Sequence, residues 1–594
     1  MGHLPLKKTR LRALVLAGGF FLLILVYCAF RLFSAYTAVA NINLAAEQIS
    51  KSHAIENTGS DSTLARQIRS NVSDIVVATH DPIISSLKWL PLVGKDVTAV
   101  SEASEAAQSL LNDVIPALDI IAAVDKRDPR QSFAKLSNHD VLQLDRQLSK
   151  TVTSLESASG VIDKWRRQNL DFGLAPKFSA LHSQLAEVQT GLSRAAPLIS
   201  LALPVVSTSK TWFIANQNLA EARGTGGIMS SWSIIKVTDG HLKLLASGSD
   251  QDLDKNVRVD FHSLPASLRS LWGQSPANWR DTNAARDFSS FAQQIRDSLR
   301  AKFKVDGVLA IGQGTVTRLA AAAGPVKAGQ VEISAANAHD FLGKDIYSRF
   351  TNVEEKNTLV QTILLEMFGR FAKGQFDVKN LWQSLTTQNF GDQVYGWSSD
   401  ARIEKLFAVG GVDGRVSSSF GPKIYFTLNN ADAGKLEAYL NIKSHYRLQS
   451  CNFETDTGFA GRKANLEIHL KNNAPQHLPA YVLPKRFAFY GSPKASTSRT
   501  LISVYGPVQS TRKSFFFDNK QIFASEGQEN GRPVWILDVM LSPGKAHKLV
   551  LNWVEPIEDS DHRNIQSDPK VVVPSAFNTI ESSVSSSGPC ASKN

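Results

Sequence analysis

The sequence predicts an α+β multidomain protein with an N-terminal transmembrane helix, a helical stalk, an α/β domain and a C-terminal β-sandwich-like module. Three observations predict it. An uncharged apolar run covers residues 13–30. Apolar residues then recur at helical spacing as far as about residue 203, and beyond Lys435 the period drops to that of strands. With 594 residues the chain is too long for one core, so two or three folded units are expected.

Residues 1–12 form a basic tail with Lys7, Lys8, Arg10 and Arg12. The run that follows is expected to be an uncleaved anchor over 13–33, with the tail cytoplasmic and the bulk of the chain outside the membrane. A cleaved signal peptide would have a shorter apolar region, and Tyr27 is too large before Cys28 for a lipoprotein site. Residues 41–203 read as a stalk. Its stripes are Ala103, Ala107, Leu110, Val114 and Leu118; Val141, Leu144, Leu148, Val152 and Leu155; and Phe178, Leu181, Leu185, Val188 and Leu192. Asp81 to Val97, with two prolines and Gly94, reads as a bend.

Residues 204–430 alternate strands with helices, which argues for an α/β domain. "TWFIA" and "DGVLAI" read as strands, and Thr238-Asp239-Gly240 joins two more as a tight hairpin. "TVTRLAAAA" reads as a helix stopped by Gly324-Pro325, and a capping box from Thr351 to Glu354 opens another. Leu359, Ile363, Met367 and Phe371 would form the inner face of the latter. Residues 431–556 read as the β-rich module, and 557–594, polar and serine-rich, as a disordered tail.

The formal net charge is +11 without any basic stripe interleaved with aromatics, which argues against nucleic acid. Cys451 and Cys590, the two cysteines beyond the expected anchor, could close a disulfide or remain thiols; both readings stay open. No nucleophile elbow, zinc-binding helix pair, phosphate loop or paired-cysteine motif occurs. Asp250, Asp252 and Asp254 imitate the start of a calcium loop, but Lys255 and Phe261 stand where its glycine and glutamate belong, so an acidic loop is the better reading. No metal site is expected.

The stretch "IANQNLAEARGTGGIMSSWSI" (214–234) carries the strongest chemical signal. Glu221 and Arg223 share a face on an extended chain, while Gly224, Gly226 and Gly227 permit close backbone approach. An arginine beside exposed amides suits an anion. The same residues also suit a structural turn in which Arg223 pairs with Glu221.

This block resembles the hallmark of the bacterial domain-of-unknown-function family 4012. So do, in order, "WLPLVGKDV", "NWRDTNAARDF" (278–288), "VDGVLAIGQGTVTRLAAAAGPV" (305–326), "RIEKLFAVGGVDGRV" (402–416) and "FAGRKANLEIHLKNNAPQHLPAYV" (459–482). That family is distantly similar to the LytR-CpsA-Psr proteins, which transfer glycopolymers from a polyprenyl-pyrophosphate carrier. The resemblance implies a LytR-CpsA-Psr-like α/β domain and an anion or pyrophosphate site drawn from Asn218, Glu221, Arg223, Thr225, Gly226, Gly227, Asp281, Asn283, Arg286 and Asp287. It implies Mg²⁺ if the protein is an enzyme; catalytic residues stay unassigned. Leu219, Ala222, Ile228 and Gly312 depart from the pattern, replacing an expected asparagine, leucine, phenylalanine and aspartate.

The first functional reading is therefore a membrane-anchored, extracytoplasmic cell-envelope protein that binds a surface polysaccharide or assists its export or attachment. The alternatives are a Mg²⁺-dependent glycopolymer phosphotransferase acting on polyprenyl-pyrophosphate-linked glycan, and a non-catalytic envelope scaffold. A binding groove would expose aromatics such as Trp232, Trp272 or Trp279.

Overall fold

The computed structural model describes residues 63–586 apart from 126–137, 260–278, 382–393, 485–495, 557–569, 573–579 and a few shorter stretches. The chain divides into two compact units, Met1–Ile199 and Ser200–Asn594.

In the first unit the described elements are helical: α1 (Thr63–His80), α2 (Gly94–Asp125), α3 (Asn138–Arg166) and α4 (Leu174–Val206), the last running on past Ile199. Asp81 accepts from Ile83 N at 3.0 Å and caps a one-turn helix, Pro82–Ser86, in the bend before α2. α2 packs against α1 and α3. A small core gathers Ala99, Ile162, Trp165, Leu170 and Phe178. Leu148 and Leu155 are buried, but Leu181 and Val188 of the third stripe are exposed.

Among the described residues no helix is long and apolar enough to cross a membrane. Their apolar residues keep to stripes, and even the long α4 carries Lys177 and Glu187. The transmembrane anchor expected over 13–33 is thus matched by no described helix. The single-pass topology, the outward orientation, the envelope location and the membrane as a partner rested on that anchor and have no support among the described residues. Residues 1–12 and 13–33 themselves lie outside the described residues.

The second unit opens with a five-stranded sheet of β1 (Lys210–Arg223), β2 (Gly226–Thr238), β3 (His241–Ser249), β4 (Gly307–Ile311) and β7 (Val394–Ser398), ordered β3-β2-β1-β4-β7. β1 and β4 are parallel and the other neighbours antiparallel. Thr238 pairs with His241 where β2 and β3 meet, and the Asp239-Gly240 pair expected to turn there lies outside the described residues. α6 (Phe288–Leu299) covers one face, burying Phe288, Phe291 and Ile295 against Phe213, Met229 and Val308. α7 (Gln313–Ala323) and α8 (Val353–Ala372) contact β1, β2 and β3. β5 (Val326–Ala328) and β6 (Val331–Ile333) form a small hairpin between them. α8 is capped by Asn352, whose carboxamide oxygen accepts from Glu354 N at 2.8 Å, while Thr351 lies outside the described residues. Ile363 and Met367 are buried on its inner face.

A β-sandwich follows. Its six-stranded sheet holds β9 (Leu440–Glu454), β10 (Ala460–Asn472), β12 (Thr511–Phe517), β13 (Lys520–Gln521), β16 (Ala546–Pro556) and β18 (Ile580–Ser586). The five-stranded sheet holds β8 (Lys423–Asn430), β11 (Ser498–Tyr505), β14 (Ser525–Glu529), β15 (Arg532–Leu541) and β17 (Lys570–Val572). Alternating Ala464, Leu466, Ile468 and Leu470 all face the core, as period two requires. In the tail read from composition as disordered, two segments form strands: β17 pairs parallel to β8 and β18 parallel to β9. Two neighbouring edges thus supply ladder partners that polar composition does not advertise.

The two layers are joined by an irregularity in the β1–β2 ladder. Asn218 pairs with Ile228 and Ala222 with Gly227, so Leu219, Ala220 and Glu221 are extruded against no residue on β2. Leu219 and Ala222 are buried in the sandwich core with Ile424, Phe426 and Trp535. This explains one departure from the family pattern: the position expected to carry asparagine lies here in an apolar core. Leu219→Asn is expected to destabilise the second unit by about 2–4 kcal/mol, since it removes apolar burial and buries an amide. Urea unfolding of wild type and variant measures it; an unchanged midpoint would contradict the placement.

Candidate functional site

The sequence-predicted residues come together, but as a set of mutual contacts. Gly224 packs backbone to backbone on the 284–285 segment, where a Cβ would lie 2.2 Å from Ala284 O. Gly227 closes the bulge, and a Cβ there would lie 2.3 Å from Asn218 C. Asn283 is fully buried, and its Nδ2 donates to Thr225 Oγ1 at 2.9 Å and Gly227 O at 2.8 Å. Gln217 Nε2 donates to the same hydroxyl at 2.7 Å. From the sandwich, Asn429 accepts from Gly224 N at 3.1 Å and donates to Ala284 O at 3.1 Å.

Arg223 is buried, and its guanidinium is engaged. Nη2 donates to Asp281 Oδ1 at 2.9 Å, and Nη1 donates to Ala222 O at 2.8 Å and to Asn430 O at 3.5 Å. Glu221 stands 3.9 Å from it and is paired with Lys435 instead. Asn218 Nδ2 donates to Tyr347 Oη at 2.5 Å. Beside this network Glu437 is fully buried, accepting from Asn430 Nδ2 and Ser498 Oγ. Burial, with Asp432 nearby, pushes its carboxyl up to about 8.

Arg286 and Asp287 face a different place. Asp287 Oδ2 caps α6 at Ser290 N, 3.2 Å, and Oδ1 accepts from Val416 N at 3.1 Å and Asn530 Nδ2 at 3.0 Å. Its own N–H donates to Glu529 Oε1 at 2.9 Å, and burial raises the Glu529 carboxyl to about 7. Arg286 Nη1 donates to Gly414 O at 3.1 Å, and its guanidinium lies 5.1 Å from the Tyr395 ring and 5.9 Å from Tyr425.

Arg286 lines a cleft of about 770 Å³. Arg415, Lys423, Tyr395, Tyr425, Asp413, Asn530, Ser289 and the serines at 417, 418 and 419 line it too. Fully buried Arg532 holds its rim: Nε donates to Ser417 O, Nη2 to Ser419 O at 3.1 Å and Nη1 to Lys423 O at 2.7 Å. Burial raises the Asp413 carboxyl. Arg415, Lys423, Tyr425 and Arg532 were not singled out from the sequence. They come from a Gly- and Ser-rich loop and two strands far apart in the chain, and only "GGVDGRVSSS" hinted at them.

Other expectations are corrected. Trp232 is buried and stacks on Phe213, with centroids 5.9 Å apart, and Trp279 is fully buried, so neither offers an open aromatic platform. Trp272 lies outside the described residues, as does Cys590, the proposed mate of Cys451. The acidic loop is α5 (Asp250–Asn256), in which Asp252 completes a capping box with Ser249, and Asp254 accepts from Trp279 N at 2.8 Å. No group of three or more metal-ligating side chains occurs among the described residues. Gly312 is the N-cap of α7 and makes no side-chain cap, so the aspartate expected there would serve the helix.

These contacts link the two most distinctive sequence blocks, and the comparison with protein families covers both. Residues 208–347 match the model of a family described as a protein of unknown function, DUF4012. The DUF4012 match contains the extruded hairpin, the 281–287 loop and the β4–α7 unit. Searches of curated proteins and of solved structures found no match. The findings carry no link to the LytR-CpsA-Psr proteins. Nothing in these findings supports the surface-polysaccharide reading, the glycopolymer phosphotransferase or the envelope scaffold.

Gly224→Ala is expected to destabilise the second unit by about 1–3 kcal/mol, because backbone cannot yield to the added methyl; thermal and urea unfolding check it. Stability is also expected to fall as pH rises from about 4.5 to about 8. Glu437 and Glu529 have folded pKa values of about 8 and about 7 against an ordinary 4.5, so the folded state holds protons that the unfolded chain releases. Their contribution is complete below the ordinary value and lost as pH passes the folded ones. Glu437→Gln should flatten this slope in urea titrations between pH 5 and 8.

Proposed function

We propose that the protein is a binding module for a small anionic ligand, a phosphate or carboxylate, held in the cleft beside Arg286. The observation that carries this reading is the cleft's lining: Arg286, Lys423 and Arg415, the last also paired with Glu404 at 2.5 Å, stand with Asp413 as the one carboxylate of the lining. Its volume of about 770 Å³ lies within the range of small-molecule sites. Guanidinium groups suit the bidentate recognition of oxyanions, and the serine hydroxyls at 417–419 add donors that can turn toward them. Arg286 is fixed between Tyr395 and Tyr425, and Arg532 fixes the serine loop, so little ordering is required on binding. Arg286, one of the candidate anion-site residues, lines this cleft, and Asp287 braces it from behind by accepting from Val416 N and Asn530 Nδ2.

Sulfate, whose charge is constant across the working pH range, is a suitable probe. Calorimetric titration of the full chain should show sulfate binding that weakens about tenfold or more in Arg415→Ala/Lys423→Ala, with the unfolding midpoint retained. Affinity should fall as pH rises through about 7, where ionisation of Glu529 adds negative charge behind Asn530. Absence of sulfate binding, or equal binding by the double variant, would overturn the reading.

A further inference from the structure

Lys356 is a buried lysine without a counter-ion of its own. It lies early in α8, and only 8% of the residue is exposed. Its ammonium group stands over the ring of Tyr347, 5.0 Å from the centroid, where a short helical turn, Ile346–Arg349, packs against it. Among the described residues no carboxylate bonds to it, and Glu221 and Asp250 act on it only through space.

A second cation stands by the same ring. Lys435 Nζ is 5.8 Å from the Tyr347 centroid, and Lys435 is ion-paired with Glu221. Glu221 is also 3.9 Å from Arg223, so the charge that could have served Lys356 is shared between two other cations. An ammonium in this position is disfavoured for three reasons. Burial removes its hydration, Lys435 repels it, and helical side chains lean toward the helix N-terminus, which is the positive end of α8. The face of the ring and the two more distant carboxylates offset only part of this. Burial, with Lys435 beside it, lowers the pKa of the Lys356 ammonium to about 8. Tyr347 is no rival nucleophile, because burial holds its hydroxyl well above the usual range and that oxygen accepts from Asn218 Nδ2 at 2.5 Å.

We propose that Lys356 is a nucleophilic amine and the site of acyl transfer from small acyl phosphates. The lone pair of Nζ forms a bond to the acyl carbon while the bond from that carbon to the phosphate oxygen breaks. Phosphate leaves with the electron pair and takes up the surplus N–H proton. The product is a neutral amide, which ends the repulsion between the two lysines and leaves the pair of Lys435 with Glu221 in place. The donor must be small, since so little of the side chain is exposed, but Nζ is not sealed from solvent.

Acetyl phosphate added to the folded full chain, with timed quenching and peptide mass spectrometry, tests this lysine by lysine. Lys327, whose side chain is 76% exposed, serves as the reference. At pH 7.5 roughly a quarter of Lys356 is free amine against about one in a thousand of an ordinary lysine, an excess that lower basicity offsets only in part. Lys356 is expected to react at least about fivefold faster than Lys327, with a rate that levels off above about pH 8 while that of Lys327 still rises. Lys435→Gln removes the repelling cation and frees Glu221 for Lys356, so it should slow acetylation there by about fivefold at pH 7.5 and leave Lys327 unchanged. Glu221→Gln removes an attracting anion and should not slow it. A loosened fold would speed both variants, so the opposed responses separate charge from exposure. The proposal is overturned if Lys356 reacts no faster than Lys327, if its rate keeps climbing past pH 8, if Lys435→Gln is as fast as wild type, or if Glu221→Gln is slower.

Discussion

Between Asn218 and Ala222 the ladder of β1 and β2 gains three residues on one side and none on the other. The excess cannot stay in the sheet, since period and hydrogen bonding there allow no slack. It leaves as a protrusion, and the protrusion ends in the core of the next layer, where Leu219 and Ala222 pack among sandwich residues. Glycines on the opposite strand and at the turn let the backbones close up behind it. Asn283, Asn429 and Arg223 then satisfy the polar groups that such closure strands. Sheet and sandwich therefore share apolar residues as well as a boundary, and neither layer completes its packing without the other.

The same device decides where chemistry can occur. The hairpin's charged and amide groups are engaged in tying segments together, which leaves Arg223 a structural role in the geometry described. The 281–287 loop emerges on the far side of this junction with Arg286 turned into an open cleft. The proposed cleft thus borders this structural knot and inherits its rigidity, a condition under which fixed donors bind without a large ordering cost.

Much of the architecture was legible because it rests on periodicity. The alternation in Ala464 to Leu470, the pairing of β2 with β3 and the Gly324-Pro325 stop are local signals whose physical causes lie within a few residues. The sites were less legible because their causes are not local. Arg223 and Glu221 share a face on an ideal strand, yet the bulge sends Glu221 to Lys435 and leaves Arg223 to Asp281. Lys423 joins Arg286 across a long stretch of chain, and nothing in either neighbourhood announces it. The departures at Leu219 and Gly312 looked like lost chemistry. In three dimensions one is a core position and the other a helix cap, where an expected polar residue has no ligand to meet.

β17 and β18 lie on different sheets of the sandwich, each alongside a strand formed more than a hundred residues earlier. A ribosome delivers them after every other strand of the module. Until they emerge, β8 beside β11 and β9 beside β10 each keep one bare edge, open to pairing with another copy. The order of synthesis therefore leaves an interval in which these two edges are exposed, and its length is set by translation speed rather than by any contact in the finished fold.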